Sequence, residues 1–215
     1  MKIFAVVLSG CGVFDGAEIH EATLTMLAIM KQGAQYEIFA PDIPQHHVIN
    51  HITGDEMNET RNVLVESARI ARGAILNIKD YDPANFDALI FPGGFGAAKN
   101  LCDFAFKGID CTVNKEIVKA VSTTADAGKP IGALCISPVI LAKLFGEGDM
   151  TIGQDPGTVE AMEKMGASHK HTDHGEVVYD EKNNVFTTPC YMLDATILDI
   201  EKGASAIVQA MLDRM

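Results

Sequence analysis

The sequence predicts one α/β domain spanning residues 1–215, a three-layer sandwich around a mostly parallel central sheet. Two observations carry that expectation. Short apolar runs of strand length alternate with helical patterns along the chain, and a hairpin pattern occurs only near the C-terminus, so most strands must be joined by crossovers. No internal repeat, low-complexity segment or linker interrupts the alternation.

Ile3–Leu8 is the first strand, and Ser9 to Asp15 a glycine-rich connection. From Ala17 or Glu18 the apolar residues Ala22, Leu24, Leu27, Ile29 and Met30 recur at helical spacing until Gly33 ends the helix. Tyr36–Ala40 is the second strand. Pro41 to Glu56 contains two prolines, three histidines and no periodicity, and reads as a long loop. A helix is expected from Asn58 to Arg72, then a short edge strand at Ile75–Ile78. The buried strand Asp87–Phe91 runs directly into Pro92-Gly93-Gly94-Phe95-Gly96. Ala97–Asp110 reads as irregular, with Phe104 and Phe106 serving either the core or an exposed apolar patch at a subunit interface. Val113–Ala127 is a helix closed by Gly128; Ile131–Leu134 is a buried strand, and Pro138 to Phe145 a helix. Thr151–Asp155 is a short strand or turn and Thr158–Met165 a helix. Glu176–Tyr179 and Asn184–Thr188 form the hairpin, and Asp194–Met215 is the closing helix.

Composition narrows the function. With 47% hydrophobic residues, net charge −12 and no Lys/Arg cluster, neither nucleic acid nor membrane is expected as a partner. The apolar run after Met1 is too short for a membrane span and lacks a signal-cleavage pattern, so a cytoplasmic protein is expected. Five cysteines without a CxxC pair fit neither a disulfide framework nor a zinc ribbon and should be reduced thiols.

The chemistry concentrates where the strand Ile131–Leu134 ends on Cys135. Ser137 suits an N-cap and Pro138 a first helical position, which puts Cys135 in a strand-to-helix elbow at the mouth of a helix. There its thiol should ionise more easily than a free one, as a nucleophile requires. Ligands in open α/β sheets bind beyond the carboxyl ends of the strands, which selects Ser9 to Glu21, Pro92 to Gly96, Cys135 and Pro189-Cys190-Tyr191. Cys11, Cys135 and Cys190 all fall at such ends and are expected to share one pocket. Adjacent Gly93 and Gly94 let two backbone N–H groups point into a common concavity, as an oxyanion needs.

Gly16-Ala17-Glu18-x-x-Glu21, the Pro-Gly-Gly turn at 92–94 and the elbow cysteine together resemble the ThiJ/PfpI superfamily. Within it, the stretches 6–16, 48–54, 59–64, 92–101 and 187–193 are most similar to glyoxalase members. The resemblance implies a flavodoxin-like, class I glutamine amidotransferase-like fold, a homodimer, and cofactor-free conversion of a small aldehyde, glyoxal, to glycolate, with no metal. It implies Cys135 as nucleophile, Glu21 as the family's glutamate and Gly94 as an oxyanion donor. Gly93, Glu18, Cys11, Asp155 and Ile136 are the expected substrate-binding residues around them. A redox or electrophile sensor using the same cysteine without turnover is the alternative function. Burial beside Cys135 would raise the Glu21 pKa. Glu18 lies one helical turn away on the same face, so both carboxylates stand as candidate proton carriers.

Departures from the superfamily pattern limit the chemistry. Ile136 stands where many members carry histidine, and Gln154-Asp155-Pro156 where others supply one from a loop; Asp155 is the available substitute for an imidazole. A Cys-His-acid protease is therefore not expected. His174-Gly175-Glu176 precedes the hairpin instead of following the final strand, which argues against a glutaminase. Gly10-x-Gly12 lacks the third glycine of a dinucleotide fingerprint, since Asp15 stands in its place. The histidines at 46, 47 and 51, and those at 169, 171 and 174, lack standard metal-ligand spacing and read as solvated loops.

Overall fold

The computed structural model describes residues 1–215. Strands β1 (Ile3–Val7), β2 (Gln35–Ala40), β5 (Leu76–Asn77), β6 (Ala88–Phe91), β7 (Ile131–Leu134), β10 (Val178–Asp180) and β11 (Val185–Thr188) form a seven-stranded sheet in the order β10-β11-β7-β6-β1-β2-β5. All pairs are parallel except β10–β11, the late hairpin. The central strands β6, β7 and β11 are buried at every residue, which is why they read as continuous apolar or small-residue runs without alternation. Two-stranded ribbons, β3 (Val48–Ile49) with β4 (Glu56–Met57) and β8 (Asp149–Met150) with β9 (Ser168–His169), lie outside this sheet.

Helices α1 (Ile19–Lys31), α2 (Val63–Ile70) and α7 (Ile197–Leu212) pack together through α1 on one face, and α4 (Lys115–Asp126) packs on β6 and β7 from the other. Helices α3 (Phe104–Lys107), α5 (Pro138–Phe145) and α6 (Pro156–Lys164) complete the chain. No helix is long and apolar enough to cross a membrane.

Four segments depart from expectation, the first being Thr151–Asp155, where the expected strand lies instead at β8 (Asp149–Met150) and α6 begins at Pro156 under the Asp155 cap. The supposed loop 41–56 carries the β3 strand and one end of β4, and Asp15 accepts from the Ile49 N–H at 2.7 Å, tying that ribbon to the first strand's loop. The α2 helix starts late because Asn62 caps it, accepting from the Val65 N–H at 3.1 Å. The segment 97–110 is ordered as one π-helical turn (Ala97–Leu101), α3 and a 3₁₀ turn (Gly108–Asp110). Phe104 packs on the core, while Phe106 is 47% exposed and stacks on His46 at 4.0 Å between ring centres.

Candidate active site

The first loop, the β6 turn, the β7 elbow and the segment after β11 converge at the carboxyl edge of the sheet. Cys135 follows β7 with φ +59°, a left-handed conformation that costs a non-glycine residue roughly 1 kcal/mol or more. Neighbouring bonds hold it there. The Cys135 N–H donates to the Thr188 carbonyl of β11 at 3.0 Å, and the Ser137 hydroxyl donates to the Pro92 carbonyl at 2.8 Å. Ser137 is therefore not the expected capping side chain: its own backbone is already helical and its buried hydroxyl pins the elbow to the β6 turn. Pro138 does occupy the first helical position.

Glu21 lies beside the cysteine and is 0% exposed. Its carboxylate accepts from the Gly93 N–H at 2.9 Å and from the Tyr191 N–H at 3.2 Å, and it lies beside the Cys135 thiol across Gly93. The Gly93 N–H is thus committed to Glu21, so the two glycine amides do not serve one concavity. It is the N–H groups of Gly94 and Ile136 that reach the Cys135 sulfur. Both glycines are sterically required. A Cβ on Gly93 would lie 2.6 Å from Glu21 Oε2 and 2.9 Å from Cys135 Sγ, while Gly94 has φ +96° and no room against Glu18 N and Gly16 O. Gly93→Ala is expected to lower stability by about 1–3 kcal/mol and to disrupt the Cys135–Glu21 contact, measured by thermal melting and thiol-labelling rate.

The ionisation state corrects the expected easy thiolate. Burial, and then the Glu21 charge, push the Cys135 thiol well above its ordinary pKa, and the two amides at the sulfur only partly oppose this. Burial, reinforced by Glu18, raises Glu21 to about 8 against the pull of the Tyr191 and Gly93 amides. Two acids in contact in a dry site resist losing both protons, so deprotonation leaves one proton shared between them. The shift also couples to folding. Because the folded pKa is raised, the stability associated with the protonated carboxyl is complete below about pH 4.5 and is lost as pH rises to about 8, at roughly 1.4 kcal/mol per pH unit. Glu21→Gln should therefore gain melting temperature relative to wild type progressively between about pH 5 and 8.

Glu18 is the N-cap of α1: its Oε2 accepts from the Glu21 N–H at 2.7 Å. Its own N–H donates to the Gly93 carbonyl at 2.9 Å, joining the first loop to the β6 turn. A cavity of about 430 Å³ opens over Cys135, walled by Val13, Phe95, Ile136, Tyr191 and Met192. Asp155 and Thr158 line it too, but Asp155 caps α6, accepting from the Thr158 N–H at 2.8 Å and hydroxyl at 2.7 Å. Those bonds lower its pKa, which makes it a poor substitute for an imidazole base. Cys11 is not in the cavity wall. Its charged neighbours are Glu66, Arg69, Asp15 and Arg61, and Cys190 lies buried behind the wall, so of the three cysteines expected to share one pocket only Cys135 lines it. Cys190 is 4% exposed, has φ +44° and feels the charges of Glu21 and Cys135. Sequence reasoning placed Tyr191 at a strand end without a role, and did not assign Val13, Phe95 or Met192 to the wall; only their positions just beyond strand ends signalled them.

No three His, Cys, Asp or Glu side chains gather to hold a metal ion. The loop histidines have other contacts: His47 Nε2 lies 3.0 Å from Lys99 Nζ, and His169 Nε2 is 2.9 Å from the Gly153 carbonyl oxygen. A larger cavity, about 490 Å³, lies beside edge strand β5 but holds no cysteine; Glu37 and Arg72 are its only charged lining residues.

Comparison with known proteins identifies the family and the fold. The DJ-1/PfpI family model matches residues 11–191. A human protein named glutamine amidotransferase-like class 1 domain-containing protein 3, mitochondrial, is 47% identical over 97% of this chain and 82% of its own length. A crystal structure titled as an isoprenoid biosynthesis protein with an amidotransferase-like domain, from Ehrlichia chaffeensis, superposes with TM-score 0.92 at 35% identity, over 99% of this chain and 100% of that one. Glyoxalase III from Candida albicans shares the fold, with TM-score 0.62 at 15% identity over 99% and 96% of the two chains. The human relative is named as mitochondrial, as are ES1 proteins of rat and zebrafish, and this overturns the cytoplasmic placement expected above. Reduced thiols and an acidic surface suit an organelle matrix as well as the cytosol, so composition did not discriminate between them.

Proposed function

The chain belongs to the DJ-1/PfpI family, and from that premise we propose that it is a glyoxalase-type enzyme converting a 2-oxoaldehyde and water to the 2-hydroxy acid. The observation that carries the reading is the proximity of two buried acids, the Cys135 thiol at the floor of a cavity and the Glu21 carboxyl directly behind it.

In the active form the pair holds one proton. Cys135 passes its proton to Glu21 as the sulfur attacks the aldehyde carbon, so the thiol need not be ionised beforehand. The new S–C bond gives a hemithioacetal, whose oxygen develops beside the Gly94 and Ile136 amides and takes up the proton. Glu21 then removes the hydrogen of that carbon as a proton, leaving an enediol, and returns it to the neighbouring carbon. The former aldehyde carbon is now a thioester. Water adds to it, the S–C bond breaks, and the acid leaves as Cys135 recovers its proton. Carbon is oxidised at one centre and reduced at the next, so the reaction balances with water alone.

The shared-proton form sets the pH profile. Because Glu21 is raised to about 8, kcat/KM for an uncharged aldehyde is expected to rise about tenfold per pH unit below that value and level off above it. A plateau extending down to pH 6 contradicts this assignment. The second reading, a sensor in which peroxide oxidises Cys135 to a sulfinate, is favoured by the Glu21 carboxyl beside the sulfur, placed to hold an oxidised sulfur, and by Cys190 nearby. Peroxide treatment followed by intact-mass analysis tests it: a two-oxygen gain on Cys135 or a Cys135–Cys190 disulfide supports the sensor, and an unmodified Cys135 rejects it.

A further inference from the structure

The cavity over Cys135 is far larger than glyoxal requires. Cavities of roughly 300–1,000 Å³ enclose drug-sized ligands, and this one, at about 430 Å³, would leave a two-carbon dialdehyde touching only the floor. Its walls are the side chains of Val13, Phe95, Ile136 and Met192, with the Tyr191 ring completing them. No lysine, arginine or histidine lines it, and its one charged lining residue is Asp155, with Glu18 and Glu21 behind the cysteine. Lys99 sits over the Phe95 ring at 5.2 Å but is committed elsewhere, donating to the Phe14 carbonyl at 2.7 Å. His20 is held by the Tyr191 hydroxyl at 2.8 Å.

We propose that the site takes an uncharged 2-oxoaldehyde bearing an apolar substituent of about four to six carbons, with Phe95, Ile136 and Met192 as specificity-determining residues. The proposal rests on the Cys135–Glu21 reading and deepens it. The aldehyde end meets the sulfur and the two amides, while the substituent displaces water from the apolar wall. Each methylene so buried is worth roughly fourfold in binding. Carboxylate- or phosphate-bearing substrates are rejected, because they would enter a wall with three carboxyl groups near it and no cation to pair with.

The test compares kcat/KM of the purified full chain for glyoxal, 4-methyl-2-oxopentanal and the anionic 4,5-dioxopentanoate, following each 2-hydroxy acid by chromatography. The branched apolar aldehyde is expected to exceed glyoxal by about 10²-fold, and the anionic one to fall at least about tenfold below the branched one. Met192→Ala and Phe95→Ala, checked for folding by circular dichroism, should each lower the ratio of branched to glyoxal turnover several-fold, a change that general loss of activity does not produce. Glyoxal equal to or better than the branched aldehyde, or the anion preferred, overturns the substrate class while leaving the chemical reading intact. Absence of multiple turnovers with all three overturns the chemical reading and this proposal with it.

Discussion

Serine in place of Cys135 is expected to reduce turnover at least about 10³-fold while leaving the fold unchanged. A hydroxyl is far less acidic than a thiol, and a Glu21 carboxylate with a pKa of about 8 cannot take its proton at neutral pH. Structure should survive because the main-chain bond from residue 135 to the Thr188 carbonyl does not involve the side chain. Product formation measured beside a thermal melt separates the two effects. Turnover retained in the serine variant, with substrate-derived mass on Cys190, would transfer the nucleophile to that residue.

Glu21→Gln carries the second large effect. The amide keeps the volume but cannot accept and return a proton, so turnover should fall by about 10² to 10⁴-fold. The rise of rate toward pH 8 should disappear with it. The amide cannot take the Cys135 proton, but loss of the Glu21 charge eases ionisation of the thiol, so the sulfur can add after releasing its proton to water and the variant should still accumulate the hemithioacetal, detectable as a mass increase after rapid quench. Glu18 is the counter-hypothesis: if Glu21→Gln turns over at the wild-type rate, the proton carrier is Glu18 and not its neighbour. The geometry stands against that outcome, since Glu18 Oε2 is occupied by the Glu21 N–H.

Most of the fold was legible because its signals are local. Ile131–Leu134 and Ala88–Phe91 are short apolar runs bounded by glycine and proline, whereas the Asp155 and Asn114 caps went unread and the helices they start were placed from Thr158 and Val113. The elbow position of Cys135 was legible for the same reason, since an apolar run ending on Cys135 before Ser137-Pro138 is one continuous stretch. What remained hidden depends on contacts between distant segments. Ser137 looked like an N-cap because nothing in its neighbourhood reveals the Pro92 carbonyl 2.8 Å away. Cys11 and Cys190 looked equivalent at strand ends, yet the β1 loop turns Cys11 toward Glu66 and Arg69 while Cys190 stays beside Glu21. The protonation of Cys135 reversed the expectation because helix-mouth amides act locally, whereas burial and a buried carboxylate are products of the whole fold. The ribbon at Val48–Met57 is only two residues per strand, too short for periodicity to register.

The central claim is that Cys135 and Glu21 form a turnover site needing only water. Its most direct test is steady-state conversion of a 2-oxoaldehyde by the purified chain with EDTA present and glutathione absent, followed by intact-mass analysis of the same sample. The account predicts many equivalents of 2-hydroxy acid per chain, and a Cys135 of unmodified mass once the aldehyde is exhausted. Consumption of a single equivalent, with no acid formed and Cys135 left permanently modified, would contradict it.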